Sequence, residues 1–354
     1  MPLTDYTTFR VRGIQAETTR EDLQALVAQA VSCQDASGIR VKSLAVDASR
    51  PREMVATITF ADIPEELSDG CGNWTIEAAP DVTFAVDTHF HGCTTLYSPP
   101  ADEWKLDLIA ISGLNGHAFG SFKKKNSSYM WLRDSLPQDF PGCRIIIYGY
   151  DTKLQDSRSF QNLLDIGKKF QTAIRQVRQD GRKPLILLGH SLGGIVVKEA
   201  ISLIRSSPTD ADNLTFAAIR GIIFFGVPNQ GMDIRSLIPM VGDQANRGFL
   251  HTLDHNSPVL RIQAKAFSAA IGELRCEILN FYETQESPTA HQNEDGTWSM
   301  SGSPAVLVDT HSATHGRPDD SQGHRVSPID CDHSNLIKFG SAYDEPTNGY
   351  DDKD

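Results

Sequence analysis

The chain has 354 residues, of which 40% are hydrophobic, and a formal net charge of −12. This size permits one large core or two smaller ones, and the negative charge argues against nucleic acid or anionic membrane as a partner held by bulk electrostatics. No apolar run approaches the roughly 18 residues of a transmembrane helix, and the amino terminus lacks the layout of a signal peptide. Six scattered cysteines without a CxxC pair predict reduced thiols. We therefore expect a cytoplasmic protein.

Residues 1–98 are predicted to form a small α+β domain. Strand patterns occur in TTFRVRGIQ, VKSLAVD, MVATITF and VTFAVDTHF. TREDLQALVAQAV predicts an amphipathic helix capped by Thr18 or Thr19, and IPEEL predicts a short helical turn. The resulting βαββαβ order is ferredoxin-like and resembles an RNA-recognition motif.

The predicted sheet face lacks the residues that bind RNA. Val55, Thr57 and Arg10 occupy positions where an RNA-recognition motif has base-stacking aromatic rings. Residues 1–100 contain seven Arg and Lys against fourteen Asp and Glu, which repels phosphate. We therefore expect a degenerate motif that binds no nucleic acid and serves in packing or in docking a protein partner.

A second region, residues 104–340, shows the alternation of an α/β domain. Apolar strand patterns occur in WKLDLIAISGLNGH, CRIIIYGYD, PLILLGHS, IRGIIFFGVP, CEILNFYET and AVLVDTHSA. Helical stretches such as Phe160 to Gln179 separate them, which predicts a mostly parallel sheet covered on both faces. The polar stretch from Ser287 to Ser303 predicts an exposed loop, and the acidic residues 341–354 predict a disordered tail.

The pentapeptide Gly189-His190-Ser191-Leu192-Gly193 predicts a nucleophile elbow. A short apolar strand precedes it and residues at helical spacing follow it, which is the context that this motif requires. A serine exposed on such a sharp turn has a strained backbone, and its neighbours two positions away crowd each other. Gly189 and Gly193 are therefore steric requirements, and Ser191 is the candidate nucleophile.

A serine nucleophile needs a histidine base and a carboxylate, which in this fold follow the serine in the order acid, then histidine. Glu283 ends the strand CEILNFYET and is the first candidate acid, and Asp309, one strand later, is the alternative. His333, in a loop that runs into an apolar helix start, is the candidate base. The competing histidines after the serine are His251, His255, His291, His311, His315 and His324.

The oxyanion formed during attack needs two backbone donors. One is the N–H of the residue after the nucleophile, Leu192, and the other comes from the loop after an early strand. ISGLNGH is such a loop, and we expect the N–H of Leu114 to be the second donor.

Six segments, read in order, resemble the fungal serine-active-site lipase-like α/β-hydrolases, which are related to putative serine esterases and to glycosylphosphatidylinositol-lipid deacylases. The segments are SGLNGHAFGSF…MWLRDSLP, IIIYGYDT, GHSLGGIVVKEA, FFGVPNQG, NFYET and DHSNLIKF. The resemblance implies a carboxylic ester hydrolase for lipid or other apolar acyl esters, with Ser191, Glu283 and His333 as its triad and no metal or organic cofactor.

The sequence departs from that family at Ser112, where the oxyanion loop usually has a histidine before the glycine. This departure motivates an alternative function, a catalytically impaired hydrolase scaffold that acts as a protein-interaction module through residues 1–98. In this alternative the fold is intact and the first domain is the docking surface.

Two further signals are weak. His89 and His91 in THFHG lie on one face of a strand without a third metal ligand, so we interpret them as structural. The basic loop at Lys123 to Lys125 is interpreted as solvated, since three lysines fall short of the 4–8 that recognise anionic lipid headgroups. Peripheral membrane contact through this loop is the alternative.

Overall fold

The computed structural model describes residues 6–33, 35–179, 181–235, 237–255, 257–314 and 325–341. The predicted tail, residues 341–354, lies outside the described residues except for its first position. The chain folds around two sheets, and the first belongs to an N-terminal unit. The elements of this unit are β1 (Phe9–Gln15), α1 (Arg20–Ala30), β2 (Ile39–Val46), β3 (Glu53–Phe60), β4 (Asn73–Ala79) and β5 (Val82–Asp87).

The N-terminal sheet is antiparallel, with strand order β2-β3-β1-β5-β4. The predicted cap of α1 is present, because Thr19 and Asp22 form a capping box. IPEEL contributes only a 3₁₀ turn, Glu65–Leu67. The sequence predicts four strands in this sheet and the structure has five. The additional strand is β4. β4 forms a hairpin with β5, and its turn places Asp81 at φ 66°.

One face of this sheet packs on α1 and the other faces the rest of the chain. Arg10 is 2% exposed and its guanidinium donates to Asp87 at 2.8 Å and to the Thr94 hydroxyl at 2.7 Å. Val55 and Thr57 are also buried. The face on which an RNA-recognition motif binds bases is therefore covered.

The second sheet has seven strands in the order β14-β11-β10-β9-β7-β8-β6. Only β6 pairs antiparallel with its neighbour among these strands. The strands are β6 (Gly92–Tyr97), β7 (Leu106–Ile111), β8 (Cys143–Gly149), β9 (Leu185–His190), β10 (Ile219–Phe225), β11 (Glu277–Glu283) and β14 (Arg325–Ile329). With helices on both faces, this order is that of the α/β-hydrolase fold.

The structure corrects three predictions: a domain boundary, a loop and a strand. β6 lies within residues 1–98 but pairs with β8, so the second sheet already begins at Gly92. The predicted loop from Ser287 to Ser303 forms most of a solvent-exposed hairpin, β12 (Ser287–Gln292) with β13 (Trp298–Ala305). AVLVDTHSA is not a strand of the parallel sheet, because its first residue ends β13 and β14 takes the edge position.

Helices cover both faces of the second sheet. They are α2 (Trp131–Asp134), α3 (Leu136–Asp139), α4 (Leu163–Val177), α5 (Leu192–Ser206), α6 (Asp210–Ala218), α7 (Ile238–Val241), α8 (Arg247–His251), α9 (Pro258–Ile271) and α10 (Thr310–Thr314). The core on one face joins the apolar sides of α4, α5 and α9 to the strands, and the core on the other joins residues 118–136 and 331–339. Across the described part of the chain, no helix combines the length and apolar character needed to cross a membrane.

Candidate active site

Ser191 lies at the sharp turn between β9 and α5. Its backbone has φ 52° and ψ −129°, a conformation that costs a non-glycine residue about 1–3 kcal/mol. A Cβ on Gly189 would lie 2.5 Å from the Cα of Gly194, and one on Gly193 would lie 2.6 Å from the carbonyl oxygens of Ile111 and Ser112. The turn therefore has the strain and the close backbone approach expected of a nucleophile elbow, and the catalytic role of Ser191 stays a prediction.

Glu283 and His333 form a buried pair at the neighbouring strand ends. His333 Nδ1 lies 2.9 Å from Glu283 Oε1, and the two residues are 6% and 5% exposed. The Ser287 hydroxyl accepts from the His333 N–H at 3.0 Å, and the Val308 N–H donates to Glu283 Oε1 at 3.3 Å. This pairing orients the imidazole so that Nδ1–H donates to the carboxylate and Nε2 is left as the basic nitrogen.

The end of β10 brings this pair towards Ser191. The Ser191 N–H donates to the Phe225 carbonyl at 2.9 Å, and a Cβ on the next residue, Gly226, would lie 2.9 Å from the His333 ring. His333 Nε2 is buried and has no hydrogen-bond partner within the described residues, so the Ser191 hydroxyl is not bonded to it. The imidazole thus has an unpartnered nitrogen that faces the region of the elbow.

The structure places the alternative residues elsewhere. Asp309 is exposed and its carboxylate accepts from the Ser312 N–H at 2.7 Å, which caps α10. The competing histidines within the described residues are all exposed, namely His251, His255, His291 and His311. His315 and His324 lie outside the described residues. The apolar helix start expected after His333 is a series of turns.

His190, the second residue of the pentapeptide, packs beside His333. Its ring centroid lies 5.0 Å from that of His333, and its Nε2 donates to the His333 carbonyl at 2.9 Å. Burial, with His333 nearby, holds the pKa of His190 well below its ordinary value. A neutral His190 therefore supports the backbone of His333. In the sequence, this role of His190 is indicated only by its position at the end of the apolar strand β9.

The two predicted oxyanion donors are in segments next to Ser191: Leu192 follows it in the chain, and Leu114 follows Gly113 in the loop after β7. Leu192 is the first residue of α5, where a backbone N–H has no partner within the helix and the helix dipole favours negative charge. The loop after β7 passes directly over the nucleophile, because a Cβ on Gly113 would lie 2.6 Å from the Ser191 Cβ. Ser112, which precedes Gly113 in this loop, is 2% exposed and its carbonyl accepts from the Tyr150 hydroxyl at 2.9 Å.

A cleft opens beside Leu114. Its walls come from the segment after β8, the first turn of α4, and the start of α8. They are formed by Leu114, Asp151, Thr152, Lys153, Leu154, Ser157, Ser159, Gln161, Ile166, Asn246 and Phe249. The amide nitrogen of Asn246 donates to the carbonyls of Lys153 and Leu154, both at 3.0 Å. The cleft therefore has a mixed polar and apolar lining and adjoins the predicted oxyanion loop.

Comparison with known proteins gives distant relatives. No family model matches the chain. The chain is similar to Protein SERAC1 of Mus musculus, with 27% identity over 66% of this chain and 36% of the relative. Protein SERAC1 of Homo sapiens is 26% identical over the same shares. The chain thus spans about a third of the length of these curated relatives. The resemblances to fungal proteins and to the RNA-recognition motif stay predictions.

Similar solved structures include two hydrolases. One is the mature form of Bacillus licheniformis lipase BlEst2, with TM-score 0.43 and 14% identity over 68% of this chain and 89% of that chain. Another is YbtT, a type II thioesterase from yersiniabactin biosynthesis, with TM-score 0.38 and 17% identity over 69% of this chain and 92% of that chain.

The structure shows the contacts of the histidine pair His89 and His91 and of the basic loop. The rings of His89 and His91 stack with centroids 5.6 Å apart, and no group of three potential metal ligands occurs in the part of the chain that the structure describes. In the basic loop, the Lys123 ammonium donates to the Tyr6 carbonyl, whereas Lys124 and Lys125 are exposed. Lys123 therefore contacts the N-terminal segment of the chain.

Proposed function

We propose that the protein is a serine hydrolase that cleaves carboxylic esters. The observation that carries the proposal is the buried Glu283–His333 pair, at 2.9 Å, beside a serine with the backbone strain of a nucleophile elbow. A buried carboxylate–imidazole pair next to such a serine supplies the oriented base that activation of a hydroxyl needs.

In the proposed reaction, the Ser191 oxygen attacks the ester carbonyl and its proton passes to His333 Nε2. The imidazolium that forms is stabilised by Glu283 through Nδ1–H. The N–H groups of Leu192 and Leu114 stabilise the oxyanion. The alcohol leaves with the proton from Nε2. A water molecule, deprotonated by the same nitrogen, then attacks the acyl-serine, and the acid is released as that proton returns to the Ser191 oxygen. These reaction steps need no metal or organic cofactor.

The proposed substrates are lipid esters or other apolar acyl esters. The resemblance of the six sequence segments to lipase-like hydrolases supports this class. The cleft beside Leu114 is lined by neither Ser191 nor His333, so the proposed substrate class rests on these segments. A series of p-nitrophenyl esters from acetate to palmitate measures the preferred chain length directly.

Labelling with a fluorophosphonate probe tests the proposal. The wild-type chain should label, because the probe traps an activated serine, and Ser191→Ala should not. Ser206→Ala is the matched control, since Ser206 lies on the same helix but is exposed at its last turn. A folded wild-type chain that does not label contradicts the proposal.

The alternative function is a protein-interaction scaffold without activity. The serine at position 112 favours it, because the family's loop histidine is missing there. Its expected signature is an intact fold, no labelling, and a protein partner whose recovery depends on the N-terminal unit. A deletion that tests this must end before Gly92, since removal of residues 1–98 also removes β6 from the second sheet.

A further inference from the structure

His117 uses both nitrogens of its ring within the loop that follows β7. Nδ1 accepts from the Gly120 N–H at 2.8 Å and from the Phe119 N–H at 3.2 Å. A nitrogen that accepts two N–H groups carries no proton, so Nε2 carries it. Nε2 donates that proton to the Thr88 carbonyl at 2.6 Å. The surrounding contacts therefore define one neutral tautomer.

The main chain around His117 closes the loop on itself. The His117 N–H donates to the Ser121 hydroxyl at 3.1 Å, and the Ser121 N–H donates to the His117 carbonyl at 3.0 Å. Nearer the nucleophile, the Gly116 N–H donates to the Gly113 carbonyl at 3.1 Å. The segment that includes Leu114 is thus held between Gly113, which lies against Ser191, and the bonds of His117.

The far side of His117 is anchored in the link between the two sheets. Thr88 directly follows β5, and its N–H donates to the Gly72 carbonyl at 3.0 Å. The His117 ring packs edge-on against Phe90, with centroids 5.6 Å apart, and Phe90 is fully buried. The loop over Ser191 is therefore connected through one imidazole to the N-terminal unit.

We propose that His117 is a positioning residue, whose Nδ1 holds the loop that carries Leu114 in place over Ser191. This role rests on the proposed hydrolase function, because the loop is expected to supply an oxyanion donor. His117 touches neither the nucleophile nor the base, so its effect is exerted through the loop backbone. An oxyanion donor displaced by a fraction of an ångström stabilises the transition state less and changes ground-state binding little.

The surroundings of His117 also oppose its protonation. A second proton would go to Nδ1, which faces the N–H groups of Phe119 and Gly120. Burial lowers the pKa of His117, the adjacent His89 and His91 lower it further, and the Thr88 carbonyl and Asp87 raise it. The loop is therefore expected to be held while the imidazole is neutral.

The test compares three substitutions in the full chain. In His117→Asn the side-chain amide oxygen can replace Nδ1 as the acceptor, whereas His117→Gln keeps a donor for Thr88 and loses that acceptor. His117→Ala loses both. The matched control is His91→Asn, because His91 lies in the same link and has no place in the proposed site. Each variant is assayed for kcat and KM on p-nitrophenyl acetate and for hydrogen exchange of the peptide covering residues 112–122.

We expect His117→Ala and His117→Gln to lower kcat about 100-fold with KM changed less than about threefold, as for loss of an oxyanion donor. His117→Asn should keep kcat within about fivefold of wild type. Exchange of the loop peptide should rise at least about tenfold in the alanine and glutamine variants, and the control should match wild type in every readout.

The proposal is overturned if His117→Ala keeps kcat within about twofold, if the loss is in KM, or if His117→Asn is as impaired as His117→Ala. If the wild-type chain itself neither labels nor turns over ester, the proposed function fails, and hydrogen exchange still decides the positioning role. Loop protection lost in His117→Ala and kept in His117→Asn supports it, and equal protection in both overturns it. If His117→Ala does not fold, His117→Gln takes its place, and wild-type kcat and loop protection in that variant overturn the proposal.

Discussion

Lys198 is a buried lysine in α5, two turns after Ser191. Its lowered pKa predicts how the free energy of unfolding changes with pH. The residue is 2% exposed, and its ammonium contacts the amide oxygen of Asn229. The rings of Phe224 and Phe267 lie 5.3 and 5.0 Å from it. No carboxylate pairs with this ammonium within the described residues, and burial lowers its pKa from 10.5 to about 7.

The sign of the effect follows from proton linkage. Between pH 7 and 10.5 the unfolded chain holds the Lys198 proton and the folded chain does not, so stability rises with pH in this window. Below pH 7 both states are protonated, and the full cost of the buried charge is present. A shift of about 3.5 pKa units corresponds to about 5 kcal/mol in total, at about 1.4 kcal/mol per unit.

Lys198→Met removes the charge and keeps most of the side-chain volume. The variant leaves the Asn229 amide oxygen without its donor, which costs about 1–3 kcal/mol at every pH. We therefore expect Lys198→Met to be more stable than wild type at pH 7, by about 2 kcal/mol. That advantage should shrink by about 2 kcal/mol between pH 7 and 9, because wild type alone gains stability as Lys198 loses its proton.

Urea unfolding at pH 7, 8 and 9, followed by tryptophan fluorescence, measures this difference. Lys168→Met is the control, because Lys168 is exposed on α4. A difference in unfolding free energy between wild type and Lys198→Met that stays constant over this pH range would contradict the prediction.

Three further predictions concern the site and the N-terminal unit. Glu283→Gln should lower kcat on the order of 10⁴-fold while Asp309→Asn changes it less than about threefold, and the reverse order in ester turnover would move the acid to Asp309. Gly193→Ala should destabilise the chain by more than about 2 kcal/mol in urea unfolding, because its Cβ would lie 2.6 Å from two carbonyl oxygens. Gly248→Ala, with no atom within 4 Å of its Cβ, should not be destabilised. The full chain should bind no single-stranded RNA at physiological salt in fluorescence anisotropy, since the sheet face around Arg10 is buried and the unit is acidic; saturable, salt-sensitive binding would contradict this.

Features that depend on neighbours in the sequence could be predicted. The apolar run before Ser191, the glycines around it and the helical spacing after it determine a strand, a turn and a helix without any distant contact. The Thr19 capping box is local in the same sense, since its two members are three residues apart. Glu283 is the first candidate acid because it ends the strand that follows IRGIIFFGVP, and the structure places its carboxylate against His333.

Features that depend on distant pairing required the tertiary structure. β6 belongs to the second sheet because it pairs with β8, whose residues lie about fifty positions later. The sequence of β6 alone does not indicate which strand it pairs with. The hairpin of β12 and β13 is solvent-exposed, so it lacks the apolar pattern by which strands are recognised. The roles of His117 and Lys198 likewise follow from a carbonyl 29 residues earlier and an amide 31 residues later. Local sequence determines backbone conformation, whereas burial and hydrogen-bond partners are decided by the packing of the whole chain, and these control the chemistry of a titratable side chain.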